Sequence, residues 1–289
     1  MKIIRRSGTD RIFRAILFFI IVIFALSYLY IFLWMFFNSL RTGVGFARKP
    51  FALFDLEGIS LNNYKEVFSY TTGRNQTNVL GMLKNSFILI IGCTALTLFL
   101  PSTTGYVFAK FQFRGSKVMV NIIIITMVVP TVGALSTTYK FINDIGLYDN
   151  FLGIFLLNAS GFGFNFLLFK NFFAGVPTEY KEAAYLDGAG NLKTYLIVMF
   201  PQAKPLLLST AIMTIIGSWN DFFTPYLYLP SYPTMALGVN NIYISFVKQG
   251  QNYPIIFAAM TFTAGIVLVI YAFFSKTIVT SMSAGGLKA

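Results

Sequence analysis

Histidine is absent from this chain of 289 residues, cysteine occurs once (Cys93), and charged residues make up only 11%. Each shortage removes chemistry. Without His and with a single Cys, no zinc site, Ser-His-Asp triad, structural disulfide or histidine proton relay can be assembled. The dipeptide Gly-Lys does not occur, so a phosphate-binding loop of the form Gly-x4-Gly-Lys-Ser/Thr is excluded. A soluble domain carries roughly 25% charged and about 45–50% apolar residues. Here 56% are hydrophobic, a balance that cannot cover a water-facing surface of this size. The chain reads as a membrane protein.

The few charges mark out the spans. A bilayer crossing needs about 20 apolar residues, and a charge inside it is costly. Uncharged gaps of 26, 25, 22 and 20 residues separate Arg14 from Arg41, Lys84 from Lys110, Lys117 from Lys140 and Asp149 from Lys170. A gap of 27 follows Lys248, and a shorter one of 16 lies between Lys204 and Asp221. The expected spans are 15–40, 85–109, 118–139, 150–169, 204–221 and 255–276, in one all-α polytopic membrane domain with outer loops 41–84 and 222–254. The second loop holds Pro225, Pro230 and Pro233. That density forbids a lipid-exposed helix and predicts an ordered loop outside the bilayer or dipping into a protein-lined cavity.

Six spans put both termini on one side, and the positive-inside rule puts them in the cytoplasm. The inner segments then hold 14 basic and 4 acidic residues, the outer ones 8 and 6. Topology thus accounts for most of the net +12, and no nucleic acid is needed. The basic start followed by an apolar run is too long for a signal peptide and lacks a small-residue cleavage site, so it reads as a retained first helix. No span as drawn contains a charged residue except at its ends, where Lys204, Asp221 and Lys276 stand, which argues against a proton- or sodium-driven carrier. Energy for active transport would have to arrive from another subunit through a cytoplasmic contact.

The inner loop 176–203 suits such a contact. Pro177 and Thr178 form a helix start with Glu179 in the first turn, and Gly188 and Gly190 end the helix near Asp187. Asn191 is placed to cap a second short helix running toward Pro201. The plain alternative is an ordinary amphipathic loop helix. However, Glu182-Ala183-Ala184, three residues, Gly188, nine residues and Val198-Met199-Phe200-Pro201 resemble the Glu-Ala-Ala loop of binding-protein-dependent importer permeases. Val198 and Phe200 stand where the family pattern has Ile and Leu. Ala183 and Ala184 would let a cleft of another protein close around the helix, Gly188 would make the corner, and Glu182 would orient it.

The resemblance covers nearly the whole chain and points to the shorter, six-helix member of maltose-type permease pairs. It includes Asn38-Ser39-Leu40-Arg41, Asn63-Tyr64, the stretch 105–115, Gly217-Ser218-Trp219-Asn220-Asp221-Phe222 and the ending 284–289. It implies a type I ABC importer permease fold in the bacterial cytoplasmic membrane, and a non-catalytic subunit that binds no cofactor itself. The implied partners are a second permease, two ATPase subunits carrying ATP–Mg, an extracytoplasmic solute-binding protein and a carbohydrate, with an oligosaccharide favoured. The implied ATPase contacts are Glu179, Glu182, Ala183, Ala184, Asp187, Gly188, Ala189 and Pro201. At the tail, Gly285, Gly286, Leu287 and Lys288 would enter the ATPase interface, unless they are merely a frayed end.

Trp219, Asn220 and Asp221 suit a sugar at the outer gate, with an interfacial Trp and a helix end as the alternative. Tyr226, Tyr228, Tyr232 and Thr234 are candidate contacts for the binding protein, or anchors at the headgroups. Pro130 is expected to kink the third span, and Cys93 to pack within the second. A permease for a non-sugar solute remains an alternative, as does a passive channel subunit. A passive pore has no use for a coupling loop.

Overall fold

The computed structural model describes residues 8–53, 59–111, 113–129, 133–248 and 252–285. The long helix α1 (Gly8–Ser39) leads into two short ones, α2 (Gly43–Arg48) and α3 (Asn62–Ser69). A small antiparallel hairpin follows, β1 (Thr71–Thr72) with β2 (Thr77–Asn78), Thr71 facing Asn78. Then come α4 (Val79–Lys110), α5 (Ser116–Val128), α6 (Ala134–Asp144), α7 (Phe151–Asn158) and α8 (Phe164–Gly175). The chain continues through α9 (Glu179–Leu186), α10 (Asn191–Lys193), a π-helical stretch (Thr194–Met199), α11 (Phe200–Gln202) and α12 (Lys204–Asn220). It ends with α13 (Phe223–Tyr228), α14 (Met235–Ile242), a second π-helical stretch (Tyr243–Lys248) and α15 (Tyr253–Gly285).

Among the described residues three helices are long and apolar enough to cross a bilayer: Ile12–Ser39, Val79–Lys110 and Tyr253–Ala272. The segments Asn191–Gln202 and Lys204–Asn220 form a fourth apolar stretch, bent by 76°. Charge spacing predicts single helices over 118–139 and 150–169, and the structure has two in each place. The first breaks between α5 and α6, where Val129 is extended and Gly133 has φ +81°. The second breaks between α7 and α8, where Gly163 has φ +116° and ψ −156°, a region essentially closed to other residues. A run of uncharged residues measures apolar length and is blind to such breaks. Pro130, the expected kink, lies outside the described residues.

Two compact units make up the chain. In the unit of Met1–Tyr70 and Asn241–Val267, no residue in the apolar window of Ile12–Ser39 is buried. The described residues leave this window uncovered, so lipid or another surface must shield it. The end of α1 is closed by a polar knot. Arg41 is buried and donates to Asn38 Oδ1 (2.9 Å), Gly45 O (2.6 Å) and Lys49 O (2.8 Å). Asn63 Nδ2 donates to Ser39 O (2.7 Å) and Arg41 O (2.8 Å), and Tyr64 shares a hydrogen bond with Ser39 Oγ. A guanidinium set among helix-terminal carbonyls satisfies groups that the helix cannot pair itself. The Asn-Ser-Leu-Arg and Asn-Tyr motifs are thus halves of one structural device.

The unit of Thr71–Asn240 and Leu268–Ala289 is built around α4. Pro101 sits inside α4 and removes a backbone donor. The hydroxyls of the next three residues, Ser102, Thr103 and Thr104, donate to Leu98, Phe99 and Leu100 O, so each polar group is satisfied within the helix. At Gly105 a Cβ would stand 2.8 Å from both Lys170 N and Phe169 Cβ, so α4 and α8 touch backbone to backbone there. One apolar cluster lies at each end of the unit. Leu89, Cys93, Ile142, Ile154, Tyr228 and Leu229 form the first. Tyr106, Phe169, Phe173, Tyr195, Met199 and Ala203 form the core of the second.

Candidate functional site

The helix of the inner loop forms as its sequence predicts, but with different capping. Thr178 precedes α9, yet its hydroxyl makes no cap bond; its carbonyl accepts from Lys181 N (2.9 Å) and Glu182 N (3.1 Å). Glu179 and Glu182 are exposed in the first turn, where the helix dipole favours a carboxylate. At the other end Asp187 is the C-cap. Gly188 N donates to Tyr185 O (3.0 Å) and Ala189 N to Ala184 O (2.9 Å). This paired closure requires a left-handed residue, and Gly188 supplies it with φ +76°. A Cβ built at Gly188 would meet nothing within 4 Å. Glycine is needed there for its backbone, not because space is short.

Asn191 corrects its expected role. Gly190 occupies the N-cap position of α10 and Asn191 is its first residue; Asn191 Oδ1 accepts the Tyr185 hydroxyl across the corner. Ala184 is a second correction. It is buried within its own chain, where α9 lies against the stretch 194–199, so it serves internal packing, and only Ala183 faces outward. Pro201 is exposed in α11.

The tip of this corner is apolar and uncovered. Leu186 is 90% exposed and Leu192 67%, one on each side of Gly188, with Ile197 and Tyr180 exposed nearby. Large aliphatic side chains left bare on both flanks of the turn make an apolar knob, the kind of surface that marks an interaction site. Its base is firm. Tyr195 stacks on Tyr106 at 5.0 Å, shares a hydrogen bond with Ser102 Oγ (2.8 Å) and accepts from Thr103 Oγ1 (3.1 Å). Lys181 Nζ lies 4.1 Å from the Phe111 ring centre, a cation–π contact that holds α9 to the end of α4.

The outer candidates divide. Trp219 is buried, its ring 6.3 Å from Phe87, and is neither an interfacial anchor nor open to a solute. Asn220 is exposed and donates to Ile216 O (2.9 Å). Asp221 is half-buried and accepts from Thr224 N (3.0 Å), starting α13.

Tyr226 and Tyr232 are exposed, but Tyr228 and Thr234 are buried and cannot meet a binding protein. The reason lies far away in sequence. Asp149, at φ +57°, accepts from Ser231 N (2.9 Å) and Ser231 Oγ (2.5 Å), and its own N–H donates to Tyr228 O (3.0 Å). Asn85 Nδ2 donates to Pro233 O (3.0 Å) and Met235 N to Ser86 Oγ (2.8 Å). Burial pushes the Tyr228 phenol above its ordinary pKa. Instead of one loop, 222–254 contains α13, α14 and a π-helical stretch. At the tail, Gly285 ends α15, while Gly286, Leu287 and Lys288 lie outside the described residues.

A cavity of about 320 Å³ lies between α4, α7 and α12; of its lining residues the sequence marks only Asp221 as a candidate for a solute. Cys93, Thr97, Asn158, Thr214, Ser218 and Asp221 line it. Thr214, Ser218 and Asp221 recur at helical spacing, a polar stripe on an otherwise apolar helix. That signal was readable. The convergence of Cys93, Thr97 and Asn158 on it was not.

Residues 102–283 match the family described as "Binding-protein-dependent transport system inner membrane component". Protein LplC of Bacillus subtilis is 31% identical over 198 residues, which cover 68% of this chain and 64% of LplC. The diacetylchitobiose uptake system permease protein NgcG of Streptomyces coelicolor is 26% identical over 282 residues, covering 96% and 90% of the two chains. A chain of a bacterial ABC transporter that imports the acidic polysaccharide alginate shares the fold, with a TM-score of 0.75 at 23% identity over 94% of this chain and 98% of that one.

Proposed function

The chain belongs to the family of binding-protein-dependent transport system inner membrane components, and we propose that it is one permease of an ATP-driven carbohydrate importer. The observation that carries this reading is the knob: a rigid left-handed corner at Gly188 flanked by bare Leu186 and Leu192. It docks in a cleft of a separate ATPase subunit. Glu182 and Ala183 face that partner, and Ala184 holds the helix to its own chain. ATP and Mg are held by the partner, and this chain performs no catalysis. A second permease completes the translocation path and covers the bare surface of α1. A solute-binding protein delivers the sugar from outside. The carbohydrate assignment is supported by NgcG, a diacetylchitobiose uptake permease by name, and by the whole-chain resemblance to sugar permeases.

In this reading the chain crosses the cytoplasmic membrane six times with both termini inside. The third and fourth crossings are broken helices, α5 with α6 and α7 with α8. The tail from Gly285 to Lys288 makes a second ATPase contact. The test is a pair of variants in the reconstituted importer. Gly188→Asn tolerates the left-handed backbone and should keep import. Gly188→Trp should insert and assemble but lose sugar-stimulated ATP hydrolysis and import. Parental import by the Trp variant would refute the docking role.

A further inference from the structure

We propose that the cavity between α4, α7 and α12 is a subsite for one neutral sugar residue, and that Asp221 makes it reject uronic acids. The inference rests on the carbohydrate reading and names the class of sugar. Its volume, about 320 Å³, falls at the lower end of the ~300–1,000 Å³ common for ligand pockets. The wall is mixed in the way a pyranose ring is mixed. Leu89 and Ile154 give an apolar face for ring C–H groups, while hydroxyls, an amide and a carboxylate give partners for its rim. Asn158 Nδ2 donates to Ile154 O, so its Oδ1 is the atom left to accept from a ligand. One oxygen of Asp221 takes Thr224 N, and the other is free for sugar hydroxyls.

Polar side chains in a transmembrane helix are costly and by default functional. Thr214, Ser218 and Asp221 put three on one stripe of α12, all facing the same space. Among the described residues Asp221 is the one charged group in the wall, and no cation accompanies it. A sugar carboxylate entering here would meet a like charge with nothing to neutralise it. A neutral sugar would instead gain a charged acceptor.

Cys93 lies in the wall but is buried, so the probe is placed at a more open wall position, Thr97→Cys in a Cys93→Ser background. The assembled importer in nanodiscs is treated with methyl methanethiosulfonate, and modification at position 97 is followed by mass spectrometry. Diacetylchitobiose or maltotriose should slow modification severalfold, and a mannuronate trimer should not. Asp221→Asn keeps the acceptor for Thr224 N. It should raise KM for the neutral sugar about tenfold, the size of one lost charge-assisted hydrogen bond, and should allow the acidic trimer to protect position 97.

Equal protection by the mannuronate trimer in the parental importer overturns the charge selection. Import of a neutral sugar with neither protection at position 97 nor a KM change in Asp221→Asn overturns the subsite and leaves the importer reading standing. Import of a non-carbohydrate solute alone, with every sugar refused, removes both.

Discussion

The corner at Gly188 and the segment after Asp221 are both short helices joined by tight turns, but they direct their side chains oppositely. At the corner the turn closes on local bonds: Gly188 to Tyr185, Ala189 to Ala184, and the Tyr185 hydroxyl to Asn191. Contacts to α4 hold only its base, so Leu186 and Leu192 are free to stay outside. The segment 228–235 is held by Asp149 from the turn before α7 and by Asn85 and Ser86 from α4. Its own side chains are drawn inward as a result, Tyr228 and Thr234 among them. A segment closed by its own bonds can offer its side chains to a partner, whereas one closed by distant bonds has used them already.

The contrast breaks most readily at Asp149. Asp149→Ala removes both acceptors for Ser231 and leaves a Cβ residue at φ +57°, for an expected loss of about 3 kcal/mol. Asn tolerates that backbone and keeps one acceptor, so Asp149→Asn should cost only about 1 kcal/mol. Thermal unfolding of the detergent-solubilised importer reads both, and equal midpoints for the two variants would contradict the clasp.

At the corner the reverse holds. Leu186→Ser with Leu192→Ser should leave unfolding within about 0.5 kcal/mol of the parent yet weaken ATPase coupling about tenfold, the loss of one or two interface anchors. A drop in stability would show that these leucines pack within the chain after all. Tyr195→Phe lies between the two cases: losing its bonds to Ser102 and Thr103 should cost about 1 kcal/mol, seen as a lower midpoint with coupling retained. The mildest test leaves stability untouched. In a Cys93→Ser background, cysteine at Tyr232 should react with an impermeant thiol reagent, and cysteine at Thr234 should not.

Legibility followed the same division. The corner could be read because Glu182 to Pro201 encodes its geometry within twenty residues, and Gly188 announces its backbone. The roles of Ala184 and Asn191 were misjudged, since composition does not say which face turns inward. Burial of Tyr228 and Thr234 depends on Asp149 and Ser86, which no local pattern links to them. The breaks at Gly133 and Gly163 escaped because uncharged length carries no record of backbone handedness. Half of the cavity was visible as the stripe on α12; the other half exists only once α4 and α7 are packed against it.

The 76° bend at the start of α12 has a mechanical side. Ala203, fully buried at the bend, leaves the joint no slack, so its two arms act as a crank. One arm carries the knob and the other, 17 residues long, carries the polar stripe to its far end. At 1.5 Å per residue the second arm reaches about 26 Å, and a tilt of ~10° at the joint sweeps its tip through roughly 4 Å. That is a large fraction of a sugar ring's width. If the proposed partner rocked the knob, that leverage would turn a small tilt into opening or sealing a space of molecular size.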